Sequence, residues 1–224
     1  MGPSNPGELM PILPATPQLS PETRVSKDME AIASLERDAQ LMLRVRAGDE
    51  TSFAILLDRH RAPVVHFLYR MVQNQAVSEE LAQEVFLRVY RSRASYEPTA
   101  KFTTWLYRIA THLALNWIRD RRKEKNQQSL DVALQDGEGS RMDRQVADAA
   151  PTVEQKMCHQ DRVQEVRAAI QMLPDKQRTA VLLHKYEELG YTQISKVLDC
   201  SESATKSLLF RAYETLRVRL AHMA

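Results

Sequence analysis

Between positions 101 and 123, seven side chains with binding chemistry recur at steps of three and four: Lys101, Trp105, Arg108, His112, Asn116, Arg119 and Lys123. That period places them on one face of a helix. Cations can pair with phosphates, an amide and an imidazole can hydrogen-bond base edges, and an indole can stack on an unpaired base. The run Arg119-Asp120-Arg121-Arg122-Lys123-Glu124-Lys125 ends the same segment, suiting a helix C-terminus and a phosphate backbone alike. The competing interpretation is a solvated helix face with no ligand.

A second group lies near the C-terminus. Ile194, Val197 and Leu198 make the apolar face of a short helix, Asp199-Cys200 makes a turn, and Ser201 is a good N-cap for the next helix. That next helix buries Thr205, Leu209, Ala212, Leu216 and Leu220, and turns Ser203, Lys206, Ser207, Phe210 and Arg211 outward. The spacing is that of a helix–turn–helix, whose second helix reads duplex DNA from its N-terminal half. An ordinary helical hairpin is the alternative. A third group, Glu79, Glu80, Gln83 and Glu84, opens another helix, where acids suit the macrodipole.

Signatures of covalent chemistry are missing. The sequence has no phosphate-binding glycine loop, no His-Glu-x-x-His and no paired-cysteine motif, and Cys158-His159 lacks a second ligand pair. Neither a metal nor a cofactor is expected, and neither is a Cys158–Cys200 bridge. The reading is a binding protein, not an enzyme.

The elements that must position these groups are all helical. The 224 residues are 43% hydrophobic, 27% charged and only 6% aromatic, with six glycines, so a glycine-punctuated β protein is not expected. No stretch is apolar enough to cross a bilayer, so neither membrane insertion nor secretion is expected, and two cysteines fit a reduced cytoplasm. Six prolines within the first 21 residues predict a disordered tail over 1–27. Helices follow from Asp28 to Ala47 (with Ile32, Leu35, Ala39, Leu43 and Ala47 on one face), from Asp49, over about Val77–Arg93, and over about Phe102–Lys123. The fourth has Phe102, Leu106, Ile109, Leu113 and Trp117 as its core stripe. A flexible acidic linker is expected over 126–162, after a domain over 28–125. A second domain spans 163–224, with one helix reaching Leu173, one from Asp175 stopped by Gly190, and the helix–turn–helix. The net charge of +2 conceals alternation: 1–41 carry 3 basic and 6 acidic groups, 42–125 carry 15 and 9, 126–164 carry 4 and 7, and 165–224 carry 9 and 7. Two positive blocks with a negative connector fit a polyanion ligand.

The segment Lys101-Phe102-Thr103-Thr104-Trp105-Leu106-Tyr107-Arg108-Ile109-Ala110, with Asn116 and the basic run, resembles the promoter-melting helix of bacterial sigma-70 family factors, most closely the extracytoplasmic-function (ECF) group. Ser78–Tyr90 resembles the family's polymerase-docking helix. Leu173-Pro174, Gly190-Tyr191, Ile194 and Lys206-Ser207 resemble its upstream-element domain. The resemblance implies a factor that binds core RNA polymerase, directs it to −35 and −10 promoter elements and promotes melting. Glu80, Gln83 and Glu84 would face the β′ clamp helices, and the second domain the β flap. Ser95–Lys101 would capture a flipped base, with Trp105 packing beneath. Lys101, Arg108, His112, Asn116, Arg119 and Arg122 would lie along the open −10 strand, and Ser203, Lys206, Ser207, Phe210 and Arg211 on the −35 duplex. An anti-sigma factor is an implied partner. The sequence departs from the family at Asp199, where a glycine is usual. The runner-up is a helix–turn–helix regulator that never docks on polymerase.

Overall fold

The computed structural model describes residues 37–131 and 153–223, with side-chain environments over 37–124 and 162–223. The expected tail (1–27), Ile32, Leu35 and the middle of the connector (132–152) lie outside the described residues, as do the side chains of Lys125 and Cys158. Among the described residues every regular element is helical.

The first helix, α1 (37–46), ends at Gly48, whose φ of +100° is open to glycine and strained for other residues. Asp49 then caps α2 (Glu50–Val72) by accepting the backbone N–H groups of Thr51 and Ser52 at 3.0 and 3.2 Å. Hydrogen bonds from the Thr51 and Ser52 hydroxyls hold the Asp49 carboxyl down at about 2. The buried face of α1 is rotated from the expected one. Leu43 and Ala47 are exposed, while Asp38, Leu41, Met42 and Val45 are buried. The cause is apolar: Leu41, Met42 and Val45 together bury more hydrophobic surface than Leu43 and Ala47 would. Asp38 is buried with them, its desolvation offset by an ion pair from Arg59 and by the His60 ring on α2 at 2.9 Å.

Helix α3 (Gln75–Arg91) starts on an Asn74 cap and leads through a short 3₁₀ turn (Arg93–Ser95) to α4 (Phe102–Asp131). Together α2, α3 and α4 enclose Leu56, Phe67, Leu68, Val85, Phe102 and Leu106, all fully buried. Helix α4 runs eight residues past the expected end at Lys123, into the stretch expected to be linker. Residues 124–131 contain neither glycine nor proline, so nothing local stops it.

The C-terminal half holds α5 (Val153–Gln171), α6 (Asp175–Lys185), α7 (Tyr191–Leu198), α8 (Glu202–Arg219) and a closing 3₁₀ turn (Ala221–Met223). Helix α6 ends at Lys185 and not at Gly190. Glu188 adopts φ +52°, and the Leu189 N–H returns to the Leu183 carbonyl at 3.0 Å, closing the end. Gly190 instead starts α7, its N–H donating to Gln193 Oε1.

The two halves pack on each other. One continuous core runs from Leu106 and Ala110 of α4 to Leu182, Leu183, Ile194 and Val197. Partly buried polar groups cross the junction: Tyr107 on α4 donates its hydroxyl to Glu187, Gln171 donates to the Arg70 carbonyl at 2.6 Å, and Gln193 donates to Thr104 at 3.3 Å. Arg70 lies 3.7 Å from Glu187, its guanidinium 4.2 Å above the Tyr186 ring. Burial pushes the Glu187 carboxyl above its ordinary 4.5, against the lowering pull of Tyr107 and Arg70.

Two outcomes follow from this geometry. Because the folded chain holds the Glu187 proton more tightly than the unfolded chain, the associated stability is intact below about pH 4.5 and is lost as pH rises through the elevated folded value. Urea titrations from pH 4 to pH 8 are therefore expected to show Glu187→Gln gaining on the wild type as pH rises; a constant difference counts against the buried carboxylate. Asp199 closes α7 in the left-handed region, at φ 52° and ψ 55°. Asp199→Ala is expected to lower the stability read from urea titration by about 0.5–1 kcal/mol, with Asp199→Gly leaving it unchanged or higher.

Candidate nucleic-acid interface

Helix α4 buries two stripes. One is the expected core stripe: Phe102, Leu106 and Leu113 are buried, while Ile109 and Trp117 are half-buried. The other, Thr104, Tyr107, Thr111, Ala114 and Ile118, is also buried, and from Thr104 and Tyr107 it meets α7 and the α6–α7 turn. Sequence reasoning missed this stripe. Its steps of three and four were present, but threonine and alanine do not announce burial as leucine does.

What remains of the circumference is the candidate site. Lys101, Arg108, His112, Asn116, Arg119 and Lys123 are exposed, as the face expected from the spacing requires, and so is Arg122. Trp105 departs from its place on that face. It is half-buried, its ring centroid 5.0 Å from Tyr96 and 5.9 Å from Phe102, so it supports the 96–101 loop from beneath. The Tyr96 hydroxyl is buried without a hydrogen-bond partner among the described residues, and Arg46 on α1 donates to the Tyr96 carbonyl at 3.0 Å.

Two of the α4 cations are engaged by the C-terminal half. Arg122 forms a two-pronged pair with Asp175, at 2.7 and 2.9 Å, and Arg108 lies 3.7 Å from Asp199. Arg119 is near only its neighbour Asp120, at 3.6 Å, among the described residues. Arg121 stacks over Trp117 at 5.1 Å.

On α3, Glu80 and Gln83 are exposed, and Glu84 accepts a hydrogen bond from Arg88 at 2.7 Å. That bond holds the Glu84 carboxyl below its ordinary value, so it stays ionised. Glu84 lies about two and a half turns into α3, which begins at Gln75, and so is well outside the first turn. Its charge therefore serves the exposed face more than the helix terminus.

Helix α8 presents Ser203, Lys206, Ser207, Phe210 and Arg211 to solvent, and Phe210 is 68% exposed. Ser201 caps the helix through Ala204 N–H at 3.1 Å. Lys206 pairs with Glu202 at 2.9 Å, which in turn accepts from Thr192 at 2.8 Å and ties α7 to α8. Thr205, Leu209 and Ala212 are buried as expected, while Leu216 and Leu220 are half-buried. Cys200 is a free thiol, 3.3 Å from the Thr205 hydroxyl. Among the described residues no cluster of three or more histidines, cysteines or carboxylates could hold a metal, and no helix is long and apolar enough to cross a membrane.

The chain is similar to known proteins over most of its length. The sigma-70 region 2 family model matches residues 56–124, and the sigma-70 region 4 model matches 163–216. The ECF RNA polymerase sigma factor SigW of Bacillus subtilis is 33% identical over 79% of this chain and 93% of its own. The RNA polymerase sigma-H factor of Pseudomonas aeruginosa is 32% identical over 81% and 92%. Among solved structures, CnrH in complex with the cytosolic domain of CnrY aligns at a TM-score of 0.60 and 16% identity, over 84% of this chain and 99% of that one. RpoE of Bartonella quintana, with the anti-sigma factor NepR, aligns at 0.59 and 20%, over 75% and 96%. At those identities the structures show a shared fold. The sequence relatives set aside the regulator that never docks on polymerase: this chain belongs to the ECF group of the sigma-70 family and is an RNA polymerase sigma factor.

Proposed function

We propose that the face of α4 left open between its two buried stripes holds the separated −10 strand. The observation that carries this reading is the joint exposure of His112 and Asn116 among Lys101, Arg108, Arg119 and Arg122, on a helix otherwise packed on both flanks. Melting needs a platform for unstacked bases, whose unpairing costs a few kcal/mol each. Cations along such a platform supply the sequence-independent hold, and the amide and imidazole supply contacts that only extruded bases can meet. The Ser95–Lys101 segment, braced by Trp105, Phe102 and Arg46, takes a flipped base.

Duplex reading falls to α8 through Ser203, Lys206, Ser207, Phe210 and Arg211, placed in the major groove of the −35 element. Glu80, Gln83 and Glu84 meet the basic clamp helices of the polymerase β′ subunit, and the C-terminal half meets the β flap. In this division, residues 28–125 dock and melt, 163–224 read the upstream element, and the acidic stretch between them connects. The reaction itself belongs to the polymerase. The protein works in the cytoplasm, where an anti-sigma factor can hold it, as NepR does in the solved RpoE complex.

In the closed arrangement, Arg122 and Arg108 meet Asp175 and Asp199, so promoter phosphates compete with those carboxylates. Each exposed pair is worth about 0–1 kcal/mol and weakens with salt, whereas several phosphate contacts together greatly exceed that.

With purified core polymerase, run-off transcription is expected from promoters mapped by transcript-start sequencing after overexpression, and Glu84→Lys is expected to abolish it while leaving the fold intact. No promoter-dependent transcript from the wild type would overturn the assignment. His112→Ala with Asn116→Ala is expected to reduce open-complex yield, read by permanganate footprinting, about tenfold or more, while changing duplex binding less than about twofold, in line with about 1–3 kcal/mol per stacked base. Equal losses in both assays count against this face.

A further inference from the structure

The backbone between Tyr96 and Phe102 leaves the protein surface from one buried aromatic ring and returns to another. Tyr96 and Phe102 are 3% and 0% exposed, whereas Glu97, Pro98, Thr99 and Lys101 between them are exposed. Inside this loop the Thr99 N–H donates to the Glu97 carbonyl at 2.8 Å. Among the described residues a single hydrogen bond reaches the loop backbone from outside 93–105. The guanidinium of Arg46 donates to the Tyr96 carbonyl at 3.0 Å, from 50 positions away in sequence.

Arg46 stands on a fixed base. It is the last residue of α1, a helix held in the core by Leu41, Met42 and Val45 and tied to α2 by the Asp38 pair with Arg59. Two residues further on, Gly48 at φ +100° turns the chain into the Asp49 cap of α2. A cation at a helix C-terminus also suits the dipole, but that role requires no acceptor on a distant loop. Beneath the carbonyl, the Tyr96 ring lies 5.0 Å from Trp105 and 6.4 Å from Phe102, whose own ring lies 5.3 Å from His60. These rings hold the Tyr96 side chain, while the Arg46 bond holds the peptide that follows it, at ψ 126°. Because a peptide is planar, that one angle directs the outgoing chain.

We propose that Arg46 is a positioning residue for base discrimination: by holding the Tyr96 carbonyl it fixes the shape of the 97–101 loop that receives the extruded base. The inference rests on the capture reading of Ser95–Lys101. It deepens that reading by making α1, which carries no residue of the open-strand face, a determinant of which base is accepted. A captured base is selected by hydrogen bonds whose geometry tolerates little displacement, so a loop free to turn at Tyr96 admits wrong bases more readily. The sequence-independent hold on the strand comes from the α4 cations and does not pass through Arg46.

The test uses holoenzyme assembled from the full-length chain and core polymerase on mapped promoters. A fluorescent base analogue, aminopurine, placed at each non-template position of the −10 element reports which base is extruded. Open-complex yield with each natural base at that position then gives a discrimination ratio. Arg46→Ala is expected to lower that ratio about fivefold, the size of one partly exposed hydrogen bond, with the ratios at other −10 positions and the salt dependence unchanged. Arg46→Lys, which keeps the charge and a donor, is expected to recover most of the ratio. Arg44→Gln, which removes an exposed cation from the same helix, is expected to leave it at the wild-type value. An unchanged ratio for Arg46→Ala, with a base extruded as in the wild type, overturns the inference. So does an equal loss with every base and a flatter salt slope, which marks Arg46 as a phosphate contact. A lower urea midpoint with no change in ratio gives Arg46 a stabilising role only, and overturns it as well. A wild-type holoenzyme that extrudes no −10 base removes the capture reading itself, a result distinct from any effect of Arg46.

Discussion

Helix α4 has one circumference and three neighbours. With 3.6 residues per turn, the stripe from Phe102 to Leu113 and the stripe from Thr104 to Ile118 together take most of it, leaving a strip little wider than one row of side chains. Lys101, Arg108, His112, Asn116 and Arg119 sit on that strip, whereas Arg122, four residues after Ile118, continues the second stripe and meets Asp175. The two buried stripes fix the strip's direction, because turning the helix to expose more of one side would drive Arg108 or His112 into apolar contacts. The orientation of a polar face is thus dictated by burial on its flanks.

The junction between the halves combines strong and weak contributions. Exposed pairs such as Arg122–Asp175 and Arg108–Asp199 contribute little in salt. The continuous apolar core and the buried Tyr107–Glu187 bond contribute more, since removing one partner of that bond leaves a desolvated group unmatched, at about 1–3 kcal/mol. Separation of the halves would rehydrate Glu187 and free both arginines. The surface suited to phosphates and the surface closing the molecule therefore overlap at two cations, while the hydrophobic hold lies elsewhere on α4.

Much of the local structure was legible in residue types. Asp49 and Ser201 cap the helices their chemistry suits, Gly48 supplies the positive φ at the end of α1, and the outward set on α8 is the set that spacing predicts. The differences have specific causes. Helix α1 turns Leu41, Met42 and Val45 inward, and Asp38 can go with them because Arg59 and His60, 21 and 22 residues away, offset its desolvation, which a periodicity count cannot weigh. Helix α6 stops at Lys185, short of the Gly190 expected to end it, with Glu188 in the left-handed region and the Leu189 N–H returned to the Leu183 carbonyl.

The candidate site divides along the same line. Residue chemistry and helical period alone placed Lys101, Arg108, His112, Asn116 and Arg119 on one face, because the α-helical repeat is a local property of the backbone. Local period cannot say which other face is covered. The burial of Tyr107 and Thr111, the support Trp105 gives to the loop and the capture of Arg122 by Asp175 all depend on residues from other segments of the chain. Such pairings arise only when distant segments pack, since burial and long-range charge pairing depend on which surfaces meet in space.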